Sequence, residues 1–107
     1  IGGAGTSDNN GIRIGSSAIM RVVNGAISLT GQGGAGTGTY NRGVHILDSA
    51  LVKSTGTGDI RIEGFSTPTA TSSFGRGVEV GTAGVVQSNS GKIDILGACK
   101  GNGCEIS

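Results

Sequence analysis

The sequence has very little of what an ordinary globular core is built from. Among its 107 residues are two phenylalanines, one tyrosine, no tryptophan and a single proline. Because large aromatic rings supply much of the buried surface of most cores, a conventional core is not expected. Eight basic and seven acidic residues give a net charge of +1, which offers no electrostatic basis for binding nucleic acid or an anionic membrane. No apolar run reaches the about 18 residues of a transmembrane helix, so no membrane span is expected.

Glycine is abundant instead, with 23 residues. This frequency is typical of collagen or of disordered chains, but glycine does not recur here at every third position. Valine, isoleucine and threonine also recur in a regular order, whereas disordered chains are depleted of them. The glycines are therefore expected to separate short ordered segments.

One glycine-bounded phrase recurs three times, at 25–31, 58–64 and 91–97. The copies read GAISLTG, GDIRIEG and GKIDILG, and their first glycines are 33 residues apart. Two other phrases precede each copy, NGIRI, RGVHI and RGVEV and then AIMRV, ALVKS and GVVQS. Apolar and polar residues alternate in each phrase with a period of two, which is typical of short β-strands. A fixed period of this size indicates a repeat architecture.

Three short strands in each 33-residue unit predict an all-β fold, a parallel β-solenoid with three faces and slightly more than three coils. We expect a single solenoid over residues 1–107, with coils at about 1–31, 32–64 and 65–97 and a partial coil at 98–107. Equivalent side chains of successive coils would then stack about 4.8 Å apart. The predicted inward columns are Ile12/Val44/Val78/Cys104, Ile14/Ile46/Val80/Ile106, Met20/Val52/Val86, Ile27/Ile60/Ile93 and Leu29/Ile62/Ile95.

The outward residues support this register in part. Asp59 would lie beside Lys92, and Arg61 beside Asp94, so that opposite charges meet on adjacent strands. Other outward positions bring like charges together. An exposed ion pair contributes less than about 1 kcal/mol, so these pairs indicate geometry more than stability.

An apolar stripe is predicted on one outer face, formed by Ile19, Leu51 and Val85. Such a stripe is either a surface for a lateral partner or is covered by a neighbouring loop that carries Phe65 or Phe74. The loops themselves are predicted at 31–42 and 64–76, where glycine and threonine dominate, and they would protrude at one corner.

Neither end of the predicted solenoid has a polar or helical cap in the sequence. Bare ends would expose unpaired strand edges and an aliphatic cross-section. We therefore expect the principal partner to be more of the same architecture, either further coils of a longer chain or identical copies stacked end to end.

The two cysteines, Cys99 and Cys104, lie in a segment that is shorter than its counterparts in the other units. A disulfide that closes this short loop would imply an oxidising compartment. Alternatively, Cys104 is a buried free cysteine in an inward position that other coils fill with isoleucine or valine. Two thiols and one distant histidine do not make a metal site.

No catalytic constellation is recognised, so we expect neither an enzyme nor a cofactor. His45, the only histidine, is predicted on an outward strand position with no nucleophile near it. The carboxylates are spread over different faces, and Glu79 and Glu105 are the pair predicted to lie closest. Residues 31–36 match Gly-x-Gly-x-x-Gly, but no helix follows, which argues against dinucleotide binding.

The repeats Asn/Arg-Gly-Val-x-Ile, Ala-x-Val-x-Ser and Gly-x-Ile-x-Ile-x-Gly, joined by Gly-Gly-x-Gly-Thr loops, resemble those of very large secreted bacterial proteins. These include the filamentous-haemagglutinin-like and autotransporter adhesins. The resemblance covers nearly the whole chain. It implies a right-handed β-helical stalk on the bacterial cell surface or outside the cell, and it transfers no catalytic residues.

The leading hypothesis is therefore a structural segment of a surface adhesin or extracellular filament. Its partners would be flanking coils or copies of itself, together with a host or environmental glycan or protein. The rival hypothesis is a carbohydrate-binding or carbohydrate-cleaving β-helix, which requires acids and aromatic residues to converge in one groove.

Overall fold

The computed structural model describes residues 10–34, 41–66 and 76–99. Within these ranges there are nine strands and no helix. The strands fall into three sets of three, one set for each sequence unit. The strands are β1 (Ile12–Ile14), β2 (Ile19–Val22), β3 (Ile27–Gln32), β4 (Val44–Ile46), β5 (Leu51–Ser54), β6 (Ile60–Ser66), β7 (Val78–Val80), β8 (Val85–Ser88) and β9 (Ile93–Cys99).

The nine strands form three parallel sheets, ordered β1-β4-β7, β2-β5-β8 and β3-β6-β9. We call their outward sides face A, face B and face C. Each strand pairs with the equivalent strand of the next unit. Ile27 lies beside Ile60, for example, and Ile60 beside Ile93. The chain is thus an all-β parallel β-solenoid with three strands per coil, which confirms the fold class that the sequence predicts.

The core consists of inward aliphatic side chains that stack along the solenoid. Alternation along each strand sends every second residue inward. In the second coil, which has a coil on each side, Ile46, Ile60 and Ile62 are fully buried. In the third coil the inward Ile93 and Ile95 are 40% and 45% exposed. Burial is therefore most complete where a coil lies both above and below.

The predicted inward column of Met20, Val52 and Val86 is formed but is unevenly buried. The register places Met20 beside Val52 and Val52 beside Val86. Val52 is fully buried, whereas Met20 and Val86 are only partly buried and pack against the buried cluster. Ile12 and Leu29, at the first-coil ends of two other predicted columns, are partly buried in the same way. The prediction that every member is a core residue is thus corrected at these column ends, which have a described coil on one side only.

The strands of face C are longer than the sequence phrases indicated. The sequence predicts loops that begin at Gly31 and Gly64, but β3 continues to Gln32 and β6 to Ser66. The glycines occupy inward positions where the sheets of faces A and C approach each other. A Cβ atom on Gly64 would overlap the carbonyl oxygen of Gly77. Glycine is present here for close packing, not to end the strand.

The corner between faces A and B is a tight turn in every coil. In the third coil it is closed by the N–H of Gly84, which donates to the carbonyl of Gly81 at 3.0 Å. Ser17, Ser49 and Ala83 hold the same place in successive turns, with φ of 62°, 61° and 58°. This left-handed conformation is unfavourable for residues other than glycine.

Candidate interaction surfaces

Four asparagine or aspartate side chains join one coil to the next at the corners. Each side-chain Oδ1 accepts a hydrogen bond from a backbone N–H of the following coil, 32 to 34 residues away. The alternation of apolar and polar residues does not reveal this feature, although the shared spacing of Asx residues and turns could have indicated it. The bonds are Arg42 N to Asn10 (3.3 Å), Thr57 N to Asn24 (3.2 Å), Thr82 N to Asp48 (2.9 Å) and Lys92 N to Asp59 (2.7 Å).

The predicted cross-coil charge pairs are not formed as ion pairs. Asp59 accepts from the backbone N–H of Lys92, not from its ammonium group. Arg61 lies beside Asp94 in the register, but its guanidinium pairs with Glu63, two residues along its own strand. The side chain of Arg61 is 60% exposed, so packing does not constrain it, and its guanidinium can reach the carboxylate of Glu63 on the same strand.

A compact ionic cluster lies on face A, formed by Arg42, Arg76 and Glu79. The Nε atom of Arg42 and the Nη1 atom of Arg76 both donate to Oε2 of Glu79, the second at 3.0 Å. Arg42 is only 6% exposed. Burial raises the pKa of Glu79, but hydrogen bonds and charge from Arg42 and Arg76 outweigh it, so that the pKa lies below its ordinary value of 4.5. Glu79 is therefore the counterion of a buried guanidinium.

His45 lies at the edge of this cluster. The register places it between Arg13 of the first coil and Glu79 of the third on face A. Within the described residues, no group of three or more histidine, cysteine, aspartate or glutamate side chains could hold a metal ion.

The described carboxylates lie on different parts of the molecule. Asp48 and Asp59 are at two corners, Glu79 is on face A, and Glu63 and Asp94 are on face C. Glu105, its predicted neighbour, lies outside the described residues.

The described ends of the predicted loops are tied to the solenoid by polar contacts. The hydroxyl of Ser66 donates to the carbonyl of Asn41 at 2.5 Å, and both residues are buried. The N–H of Gly33 donates to the carbonyl of Phe65 at 2.8 Å. The chain segments that leave and re-enter the coils are therefore fixed at their bases. Residues 35–40 and 67–75 of these loops, which include Phe74, lie outside the described residues.

Face B carries the predicted apolar stripe. Ile19, Leu51 and Val85 are axial neighbours, and Ile19 and Val85 are 70% and 42% exposed. Phe65, one of the residues considered as a cover, instead lies on the sheet of face C, between Gln32 and Ala98. The next outward column consists of Arg21, Lys53 and Gln87. A shallow depression beside it is lined by Lys53, Thr55, Gln87, Ser88 and Asn89.

The cysteine prediction concerns the end of the third coil. Cys99 is the last residue of β9, where its backbone pairs with Ser66. Cys104 lies outside the described residues, as does Ile106, so the disulfide stays a prediction. No helix in the described part of the chain is long and apolar enough to cross a membrane.

The fold and these surfaces define a class, the parallel β-solenoids with three strands per coil. Comparison with protein-family models, curated proteins and solved structures finds no match to this chain. The assignment to this class therefore rests on the strand order and register alone.

Proposed function

We propose that this chain is a structural segment of a bacterial cell-surface adhesin or extracellular filament, and that it is continued end to end by further coils. Its function would be mechanical, because continuous backbone ladders and aliphatic columns make a stiff rod. The resemblance of its repeats to those of secreted bacterial adhesins supports the location outside the cell.

The observation that carries the proposal is the solvent exposure of inward aliphatic side chains in the third coil. Three inward residues of this coil belong to the core columns but are still exposed: Val80 at 41%, Ile93 at 40% and Ile95 at 45%. Their equivalents in the second coil, Ile46, Ile60 and Ile62, are fully buried. A further coil with the same register would bury these side chains and pair the outer backbone edges of β8 and β9, which have no strand partner among residues 10–34, 41–66 and 76–99. Stacking on this end therefore satisfies both apolar and polar groups.

Light scattering and electron microscopy of the purified 107-residue protein test the proposal. We expect elongated or polymeric particles whose length increases with protein concentration. The substitution Ile95→Lys places a charge at the end of a core column and is expected to prevent this growth. Leu96→Lys is the matched control, because Leu96 is on the same strand and is 51% exposed, but it points outward.

A compact monomer at every concentration would contradict end-to-end continuation. Equal growth of the two lysine variants would also contradict it, because the column end would then have no part in assembly. Location is tested separately, by labelling intact cells of the source organism with antibodies against the chain. Label that enters only after the cells are permeabilised would argue against the cell surface.

A further inference from the structure

Face B combines two features that a purely structural face would avoid. Arg21 and Lys53 are axial neighbours, so two positive charges lie on adjacent strands. Like charges placed directly opposite each other destabilise a sheet. Among the described residues, no carboxylate lies within ion-pair distance of either side chain. The charged columns of faces A and C each contain an acidic residue beside a basic one, Glu79 beside His45 and Asp94 beside Arg61, although Arg13 also lies beside His45.

The second feature is the apolar column two residues before the charged one. Ile19 precedes Arg21 on β2, and Leu51 precedes Lys53 on β5. Because the members of each pair are two residues apart on a strand, the columns are separated by roughly 6.6 Å. Alternate side chains on one side of any extended peptide have the same separation. A peptide strand that lies on face B in the direction of β2 and β5 would place residue i on the apolar column. Its residue i+2 would then lie on the charged column.

We propose that face B binds an extended acidic peptide segment with the pattern apolar, spacer, acidic. The apolar side chain packs on Ile19 and Leu51, and the carboxylate bridges Arg21 and Lys53, which relieves their repulsion. Charge complementarity selects an acidic partner, since the only charged groups in these two columns are cations. Gln87 and Asn89, in the depression beside Lys53, offer hydrogen-bonding groups to the spacer residues or the peptide backbone. Binding at face B does not require that the solenoid form a filament.

Fluorescence anisotropy with a labelled nine-residue probe tests this assignment. In the probe, leucine and glutamate alternate on one side and threonine occupies the other, and a second probe has glutamine in place of glutamate. We expect the acidic probe to bind about fivefold more tightly than the glutamine probe, since an exposed ion pair contributes up to about 1 kcal/mol. The difference should shrink as the salt concentration rises.

The variants separate binding from folding. Lys53→Gln introduces the residue that the third coil already has at this position, Gln87, and is expected to weaken binding of the acidic probe about fivefold. Because it removes the like-charge contact, it should leave the melting temperature of the free protein unchanged or raised. Ile19→Thr should weaken binding of both probes. Lys92→Gln, which makes the same charge change at a corner outside these two columns, is the matched control and should bind as the wild type does.

Equal affinity for the two probes would overturn the proposal, as would unchanged binding by the Lys53→Gln variant. Binding to vesicles that contain phosphatidylserine, with none to the acidic peptide, would assign the face to a lipid surface and overturn it as well. Circular dichroism of each variant shows whether the strands are retained, so that a loss of binding is not attributed to a loss of fold.

Discussion

At the scale of single residues, polar side chains join the coils by accepting from backbone N–H groups. Asn10, Asn24, Asp48 and Asp59 all act in this way. Each of the four backbone N–H groups they contact is thereby satisfied by an acceptor from the preceding coil. Residue type alone predicts an ion pair at Asp59, because aspartate and lysine occupy equivalent positions of adjacent coils.

Asp59 provides a direct test of this difference. Asp59→Ala removes the acceptor and should lower the free energy of unfolding by about 1 kcal/mol, the typical net value of such a hydrogen bond. Asp59→Asn keeps an acceptor at Oδ1 and should retain most of this stability. Lys92→Gln leaves the backbone N–H in place and should change stability by less than about 0.5 kcal/mol. Urea unfolding at neutral pH measures all three.

If an ion pair were responsible, Asp59→Asn and Lys92→Gln would both cost as much as removal of the whole aspartate side chain. That ranking would contradict the geometry. The sequence could not distinguish the two cases. The repeat shows which residues are neighbours in adjacent coils, but not whether the side chain or the backbone of the neighbour makes the contact. It does not show that the backbone of Lys92 lies nearer to the carboxylate than its ammonium group does.

At the scale of elements, alternation of apolar and polar residues was sufficient to predict the strands and their parallel association. Such alternation places one residue type inside and the other outside, and a fixed repeat length brings equivalent strands together. Val52 and Val86 show what alternation omits, since both point inward but only Val52 is fully buried. The ends of β3 and β6 are predicted less well, since glycine within such a pattern indicates the end of a strand. Gly31 and Gly64 are instead inward residues of continuing strands, and this depends on contacts with another sheet that no local pattern contains.

Gly64→Ala tests the packing of these glycines. The added methyl group would overlap the carbonyl of Gly77 and crowd Val78, and backbone atoms cannot move aside as a flexible side chain can. We expect a loss of about 1–3 kcal/mol or more, the range for overpacking a tight core. The midpoint of urea unfolding should fall while its slope stays the same.

Gly25→Ala is the matched control, because an added Cβ atom there has nothing within 4 Å. Alanine should be neutral or slightly stabilising at this position, since it reduces the freedom of the unfolded chain. Equal losses in the two variants would show that glycine contributes through backbone freedom and not through close packing.

At the scale of the whole molecule, stability depends on contacts between successive coils, as in other repeat proteins. The cluster on face A is one such contact. Glu79 belongs to the third coil and accepts from Arg42 of the second, while Arg76 approaches it from the segment just before β7. One carboxylate thus holds two coils together and neutralises a buried guanidinium.

This arrangement predicts a specific sensitivity to acid. Because Arg42 and Arg76 hold the pKa of Glu79 below 4.5, folding favours its ionised form. The resulting stability is fully present above the unfolded-state pKa and is lost as the pH falls through the lower pKa of the folded state. Glu79→Gln should cost about 1–2 kcal/mol at pH 7, because Arg42 stays buried without its counterion and Glu79 itself is only partly buried. The difference between the variant and the wild type should shrink as the pH falls below about 4.5.

Glu63→Gln is the control for this experiment, because its partner Arg61 is 60% exposed and the pair should contribute less than about 0.5 kcal/mol. Urea unfolding of the three proteins at a series of pH values gives each free energy of unfolding. If the wild type and the Glu79→Gln variant lost stability in parallel on acidification, the carboxylate would not link the coils, and the acid response would have to arise from other groups. A narrowing gap for the Glu79 variant, with none for the Glu63 variant, would instead show that one ion cluster between coils determines how the solenoid responds to acid.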